Sequence, residues 1–379
     1  MNLAKKRIRQ QNRDLAIKLM IPTAILAKII QIYFLPDRYF FDSWRMISML
    51  LDLKGMSAWG GYKTAVDFHK AINIFHLSTT TQFSIVYGLI MTPICMIVVS
   101  KVKEMEIKEV LFTLMATGVL NIYVFNLNKE MPQILYFFAI YIVISIPIKN
   151  TFLKIIGCAL VYYWESISFR SYYIIMAALT VALYFIFIWL RSKNKISKFH
   201  IVLTIIACFT LVFVFFYLSS FISPEDYKEA LGVRDGSIEA VDGVGTGGAN
   251  SAIRNPIKVN GNLGIFMYDY VINAVRMMVP IELIVKSPGY VPFFVYQIFI
   301  MLYLFRTLKN IKSIDRKMVV VLSCFIAYFF GSVVFEPDFG SWVRHEATTF
   351  PILQYMAYQS VNYEERERLE NLKYETTYV

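Results

Sequence analysis

The stretch MVVVLSCFIAYFFGSVVF (318–335), EPDFGSWVRHE (336–346), ATTFPILQYMAYQSV (347–361) decides the fold. Its two apolar runs approach the length of helix needed to cross a bilayer's hydrocarbon core. Between them lies a short segment dense in ionisable and hydrogen-bonding side chains. Charge beside a membrane span is expensive, and where it is kept it usually faces a polar cavity. The segment therefore reads as a turn between two spans and as the first candidate for a working site. Pro337 and Gly340 break helix within it, and irregular backbone at a membrane edge is tolerated where it lines a cavity or is buried in protein.

The same pattern runs through the chain. Only 17% of the 379 residues are charged, and the mean hydropathy is +0.52, outside the usual range of soluble domains. Apolar runs fall at 15–35, 82–100, 107–127, 131–148, 151–169, 172–190, 200–222, 290–306, 318–336 and 347–362. That makes roughly ten α-helical spans, too long and too continuous for the alternating strands of a barrel. The expected fold class is all-α, a polytopic integral membrane protein. A single transmembrane domain should cover 1–362, with outer loops at 36–81 and 223–289 and a charged cytoplasmic tail at 363–379.

The net charge of +11 does not point to nucleic acid. The cations sit in clusters: 5–13, Lys101/Lys103/Lys108, Lys149/Lys154, Arg191/Lys193/Lys195/Lys198 and Arg306/Lys309/Lys312/Arg316/Lys317. These fall after every second span, as the positive-inside rule requires, and they place both termini in the cytoplasm. The basic N-terminus precedes a long apolar run without an A-x-A cleavage site, so the first span should be retained. Residues 265–285 are apolar enough to cross but carry Asp269, Arg276 and Glu282. A crossing there would move the 306–317 cluster outside, so this segment is expected to lie in the outer interface or to re-enter from outside. Cys95, Cys158, Cys208 and Cys324 lie inside spans without a CxxC pair and read as small core residues.

This topology gathers the polar places on the extracytoplasmic side, where no nucleotide sugar is available. Synthesis there needs lipid-linked, pre-activated substrates. In 336–346, Arg344 offers a planar fork of donors suited to phosphate, and Asp338, His345 and Glu346 suit a base, an orienter or sugar-hydroxyl acceptors. The bland alternative is an interfacial turn whose charges meet water. Thr349 replaces the second His of H-E-x-x-H, so this is no zinc-protease motif. Asn128-Lys129-Glu130 is either a charged site turn or a solvated hairpin with an ion pair. In Trp164–Tyr173, Glu165 lies near a span end and Tyr172 belongs to an aromatic anchor. Arg170 runs against the positive-inside bias and suggests an anionic partner. In loop 36–81, Tyr39, Phe40, Trp44, Ile47, Leu50 and Leu51 alternate with charges at helical spacing, as in an amphipathic helix on the bilayer. Asp42 or Asp37 at its start can point into a cavity, and His69 and His76 are read as surface residues. The glycines at 243–248 follow no strand and precede no Lys-Ser/Thr, which excludes a P-loop; a long loop of this kind is commonly a lid or a flexible segment. Arg254 and Arg276 are further cationic candidates. Arginines at 45, 170, 254, 276 and 344 beside carboxylates suit a pyrophosphate-bearing lipid. Cations would hold the leaving phosphate while a carboxylate deprotonates an attacking hydroxyl.

Phe41-Asp42-Ser43 after the first span, Asn128-Lys129-Glu130 after the third, Phe169-Arg170-Ser171-Tyr172-Tyr173 at the end of the fifth and Glu336–Glu346 near the C-terminus together resemble the Wzy-type and EpsG-like polysaccharide polymerases of O-antigen, capsule and exopolysaccharide clusters. The resemblance covers most of the chain in span order and loop sizes. It implies a GT-C-like membrane glycosyltransferase that joins undecaprenyl-diphosphate-linked oligosaccharide repeat units on the outer face of the bacterial inner membrane. It implies Arg344 and Arg170 on the diphosphate, and the residues themselves add Lys129, Glu165, Tyr172, Arg254 and Arg276 as substrate-binding candidates. Glu130, Asp338, Glu346 and His345 would form the acid/base or sugar-orienting group. Asp42 is a secondary candidate, matching an early-loop acidic position as one Asp rather than a pair. No cofactor is expected and the chemistry should be metal-independent. Expected partners are the lipid-linked oligosaccharide, the bilayer, a chain-length regulator and a flippase. The rival readings are a GT-C enzyme adding single sugars from a lipid monophosphate, and a non-enzymatic flippase or transporter of the same lipid-linked oligosaccharide.

Overall fold

Long apolar runs with few internal breakers fold here as helix, which accounts for 81% of the structure, with no strand among the described residues. The structure is a computed structural model and describes residues 3–58, 60–193, 197–222, 224–225, 227–228, 231–232, 251–336 and 338–358. The glycine run at 243–248, the end of the last expected span and the tail at 363–379 lie outside the described residues.

The helices are α1 (Leu3–Tyr33), α2 (Phe41–Leu50), α3 (Gly60–Ile72), α4 (Thr80–Ser100), α5 (Ile107–Val119), α6 (Glu130–Ser145), α7 (Thr151–Ser168), α8 (Tyr173–Ser192), α9 (Lys198–Ile222), α10 (Leu263–Met278), α11 (Ile281–Lys286), α12 (Val291–Lys309), α13 (Arg316–Phe335) and α14 (Phe339–Ala347). A further helical stretch covers 350–358. Among the described residues, seven helices are long and apolar enough to cross a membrane: α1, α4, α5 with its continuation to Val124, α8, α9, α12 and α13. The chain is therefore built as a polytopic membrane protein. α6 is apolar but shorter, at 16 residues. Lipid explains the surface: α9 exposes Phe199, Ile201, Ile205, Ile206, Phe213 and Phe221, a display that water would penalise.

The chain divides into two compact units. The first comprises Met1–Ile142, Ile167–Arg170 and Ala347–Val379. In it α1 packs against α4 and α5. Thr79 and Gln82 form a reciprocal cap at the start of α4, which fixes where that helix begins. α2 buries Met46, Ile47, Met49 and Leu50, but Trp44 and Leu51, expected on the same face as Ile47 and Leu50, are exposed.

The second unit comprises Val143–Ser166 and Ser171–Glu346. Its centre is α13, whose most apolar window is 94% buried, packed on α8. Residues 265–285 form α10, of 16 residues, and α11, of six. Pro280 separates them, because proline cannot supply the next helical N–H. A bidentate pair between Arg276 and Glu282 fastens one helix to the other across the break. All four cysteines are free and buried, in keeping with a packing role.

Candidate functional site

Asp338 sets the geometry of the 336–346 turn. Its Oδ1 accepts from the backbone N–H of Ser341 at 2.9 Å, the bond of an N-terminal helix cap, so α14 starts at Phe339; the irregular backbone expected around Gly340 is instead helix, because this cap starts a helical turn that Gly340 joins. The Ser341 hydroxyl donates to Asp338 Oδ2 at 2.7 Å, and the Ser251 hydroxyl donates to Oδ1 at 3.1 Å. Phe339 N–H also donates to Ser251 O at 2.9 Å, joining the loop at 251 to the start of α14. Gly340 fits closely at this join: an added Cβ would lie 3.0 Å from Asp338 Oδ1 and 3.3 Å from Ser251 Oγ, so both side chains would have to shift.

Successive residues of a helix point about 100° apart, so Arg344, His345 and Glu346 leave α14 in different directions. Arg344 donates to Ser341 Oγ at 3.0 Å, which completes a string from guanidinium through hydroxyl to the Asp338 carboxylate. His345 Nδ1 meets Glu336 Oε1 at 2.5 Å in buried surroundings. Glu346 is buried and accepts from Gln297 of α12 at 3.2 Å. Burial pushes the Glu346 carboxyl well above the usual carboxylate range, which favours its neutral form.

The other candidates of the second unit are Glu165, Tyr172, Arg254 and Arg276. Glu165 is fully buried, and with Glu336 and Tyr172 it lies within electrostatic reach of Tyr328. Tyr172 stacks on Phe335 at 3.9 Å between centroids. Arg276 also donates to Arg254 O and to Asn273 Oδ1, each at 2.7 Å. The donors of Arg276 are thus engaged inside the protein, while the Arg254 side chain is exposed. Lys286 donates to Ala252 O at 3.1 Å and lies within electrostatic reach of Glu282, Arg276, Arg254 and Asp338. Hydrogen bonding from Arg276 holds the Glu282 carboxyl below its usual range.

Asp42, Lys129, Glu130 and Arg170 belong to the first unit. Lys129 Nζ stands 3.7 Å from Asp42 Oδ2 and 4.2 Å from the centre of the Tyr62 ring. The Tyr62 hydroxyl donates to Asp42 Oδ1 at 2.6 Å, and burial with the adjacent Asp42 charge pushes this phenol up to about 12. Arg45 stacks over Phe41 at 4.7 Å. Glu130 is fully buried at the start of α6. Arg170 lies over the Phe169 ring at 5.2 Å.

His69 and His76 part company. His76 is exposed, as expected. His69, read as a surface residue, is instead fully buried. Its Nε2 bonds Asn128 O at 2.9 Å and its Nδ1 bonds the Tyr87 hydroxyl at 2.6 Å. A carbonyl only accepts, so Nε2 carries the hydrogen and Nδ1 accepts from tyrosine. Burial pulls this imidazole down to about 4. Nothing local in the sequence marks the burial, since it arises where α3 meets Tyr87 of α4 and the turn at Asn128.

Sequence reasoning also passed over Ser341 and Gln297, which connect the turn's charged groups to one another and to α12. Ser341 lies three residues before Arg344, the spacing of neighbours on one helical face. Among the described residues, no group of three or more His, Cys, Asp or Glu side chains is placed to hold a metal ion. Comparison with protein-family models, with curated proteins and with solved structures finds no match to this chain.

Proposed function

We propose that this chain is a membrane glycosyltransferase that polymerises oligosaccharide repeat units carried on a lipid diphosphate, working at the extracytoplasmic face of a bacterial inner membrane. The single observation that carries the reading is the string Arg344–Ser341–Asp338 on a turn that also bears the buried His345–Glu336 pair and the buried Glu346. A guanidinium stabilises the charge that grows on a departing diphosphate. A carboxyl kept protonated supplies a proton, and a carboxylate–imidazole pair takes one from an attacking hydroxyl. Lys129 and Asp42 of the first unit carry a second, opposite-charge pair suited to the phosphate or sugar of a lipid-linked substrate. A roughly ten-span, GT-C-like architecture with both termini in the cytoplasm belongs to the same proposal. The test is incubation of purified protein with lipid-diphosphate repeat units. A ladder of products supports polymerisation, and one added sugar from a lipid monophosphate supports the single-sugar transferase.

One observation favours the transporter reading. Glu109, Thr113, Thr117 and Asn121 are all buried and recur every fourth residue along α5 and its continuation, a polar stripe inside a membrane-crossing helix. Such stripes line transport paths or act as helix–helix glue. Movement of a labelled lipid-linked oligosaccharide across vesicles without bond formation would favour transport.

A further inference from the structure

The residue that stands out beyond the candidate site is Lys28, a lysine in the last third of the long apolar helix α1. Lysine near a helix end normally stretches its charge out to the interface. Here the side chain turns inward. Its Nζ lies 2.5 Å from Asn121 O, 2.7 Å from Ser84 Oγ, 2.8 Å from Phe125 O and 3.2 Å from Gln31 Oε1. Ser84 gives its own hydrogen to Gln31 Oε1 at 2.8 Å. Every oxygen around Nζ therefore accepts, and the three nearest account for the three hydrogens of an ammonium ion.

The two carbonyls held by Lys28 belong to a particular piece of backbone. After α5 the chain makes one π-helical turn, Leu120–Val124, closed by Phe125 N–H donating to Leu120 O at 2.8 Å. The wider turn withdraws backbone carbonyls from ordinary helical partners, and a carbonyl without a partner at membrane depth is costly. Asparagine side chains meet two more of them: Asn126 donates to Ile122 O at 2.6 Å and Asn128 donates to Tyr123 O. α4 makes room at Gly88, where an added Cβ would fall 2.7 Å from Lys28 Cε and 3.0 Å from Asn121 Oδ1.

The pinned turn leads straight into the charged turn. Gln31 donates to Asn126 Oδ1 at 2.6 Å, His69 donates to Asn128 O at 2.9 Å, and Met131 N–H donates to Asn128 Oδ1 at 3.0 Å. The backbone is fixed at Phe125, Asn126 and Asn128, which leaves little freedom to Lys129 and Glu130. We propose that Lys28 is a positioning residue: its ammonium locks the π turn and thereby sets where Lys129 stands against Asp42 and where Glu130 is buried. Any catalytic consequence rests on the polymerase reading, but the positioning itself does not.

The experiment measures amide hydrogen exchange on the purified full chain, comparing wild type, Lys28→Met and Lys28→Arg. Lys28→Met keeps the stem and removes the charge-assisted bonds. Exchange across 121–131 is expected to rise about tenfold or more, since each such bond contributes more than a neutral one. α8 and α13 should be unchanged, and Lys28→Arg should restore part of the protection. Gly88→Ala, which displaces the same ammonium without removing it, should reproduce the effect and stands in should Lys28→Met fail to accumulate. In the polymerisation assay, Lys28→Met should lower kcat and raise KM through Glu130 and Lys129. Unchanged exchange at 121–131 would overturn the proposal, as would a rise spread evenly over α1, α4 and α5, which marks Lys28 as helix glue. Loosened exchange in a protein that makes no polymer leaves the positioning standing and removes the polymerase reading instead.

Discussion

His69 shows how far one side chain can depart from its local sequence context. It is fully buried and neutral, with a depressed pKa of about 4 against an ordinary 6.5. The unfolded chain binds the extra proton first, so the contribution of His69 to stability is complete above pH 6.5 and is lost as pH falls towards 4. The full effect is about 3 kcal/mol. Melting temperature measured from pH 7 down to 4 should drop in wild type, and His69→Gln should show a shallower drop. Equal slopes would mean that the imidazole does not titrate in this window. The contrast between residues is instructive. Arg344, His345 and Glu346 stand out in the sequence because charge between two apolar runs is conspicuous. His69 and Lys28 do not, because their burial depends on partners far along the chain, such as Asn128 and Asn121.

Among the elements, several helix boundaries carry chemical marks that the sequence reading did not use: the Thr79–Gln82 box before α4, Pro280 between α10 and α11, and Asp338 at the start of α14. The π turn had no such mark, since its carbonyls are satisfied by Lys28 of another helix. A comparable device closes α6. Lys154, 1% exposed, donates to Val143 O and Ile144 O at 3.3 and 2.5 Å and also reaches Ile146 O. A cation at a helix C-terminus satisfies its last carbonyls and complements the dipole. Lys154→Met should therefore destabilise the protein by about 2 kcal/mol. A thermal melt checks this, and an unchanged melting temperature would show that water replaces the ammonium at no cost.

For the whole molecule, composition alone announced an all-helical membrane protein, and seven helices among the described residues have the length and apolarity to cross. The sidedness is a matter of the basic clusters, and it is directly testable because the four native cysteines are buried. Phe75, which is 64% exposed, should react as Phe75→Cys with a membrane-impermeant maleimide in intact cells. Lys103→Cys should react only once the membrane is opened. The reverse pattern would turn the protein over and remove the case for lipid-linked substrates. Sequence could not divide the charged residues between the two units. That division leaves Asp42, Lys129, Glu130 and Arg170 in one and Asp338, Arg344, His345 and Glu346 in the other, and it depends on how the helices pack.

The most direct test of the account is the reaction itself with one guanidinium removed. Purified wild-type protein given lipid-diphosphate repeat units should produce a ladder of chains. Arg344→Ala, made at the same level and melting at the same temperature, should slow that ladder roughly a hundredfold by losing the group proposed to stabilise the departing diphosphate. A ladder of unchanged rate and length from Arg344→Ala, or none from wild type, would contradict it.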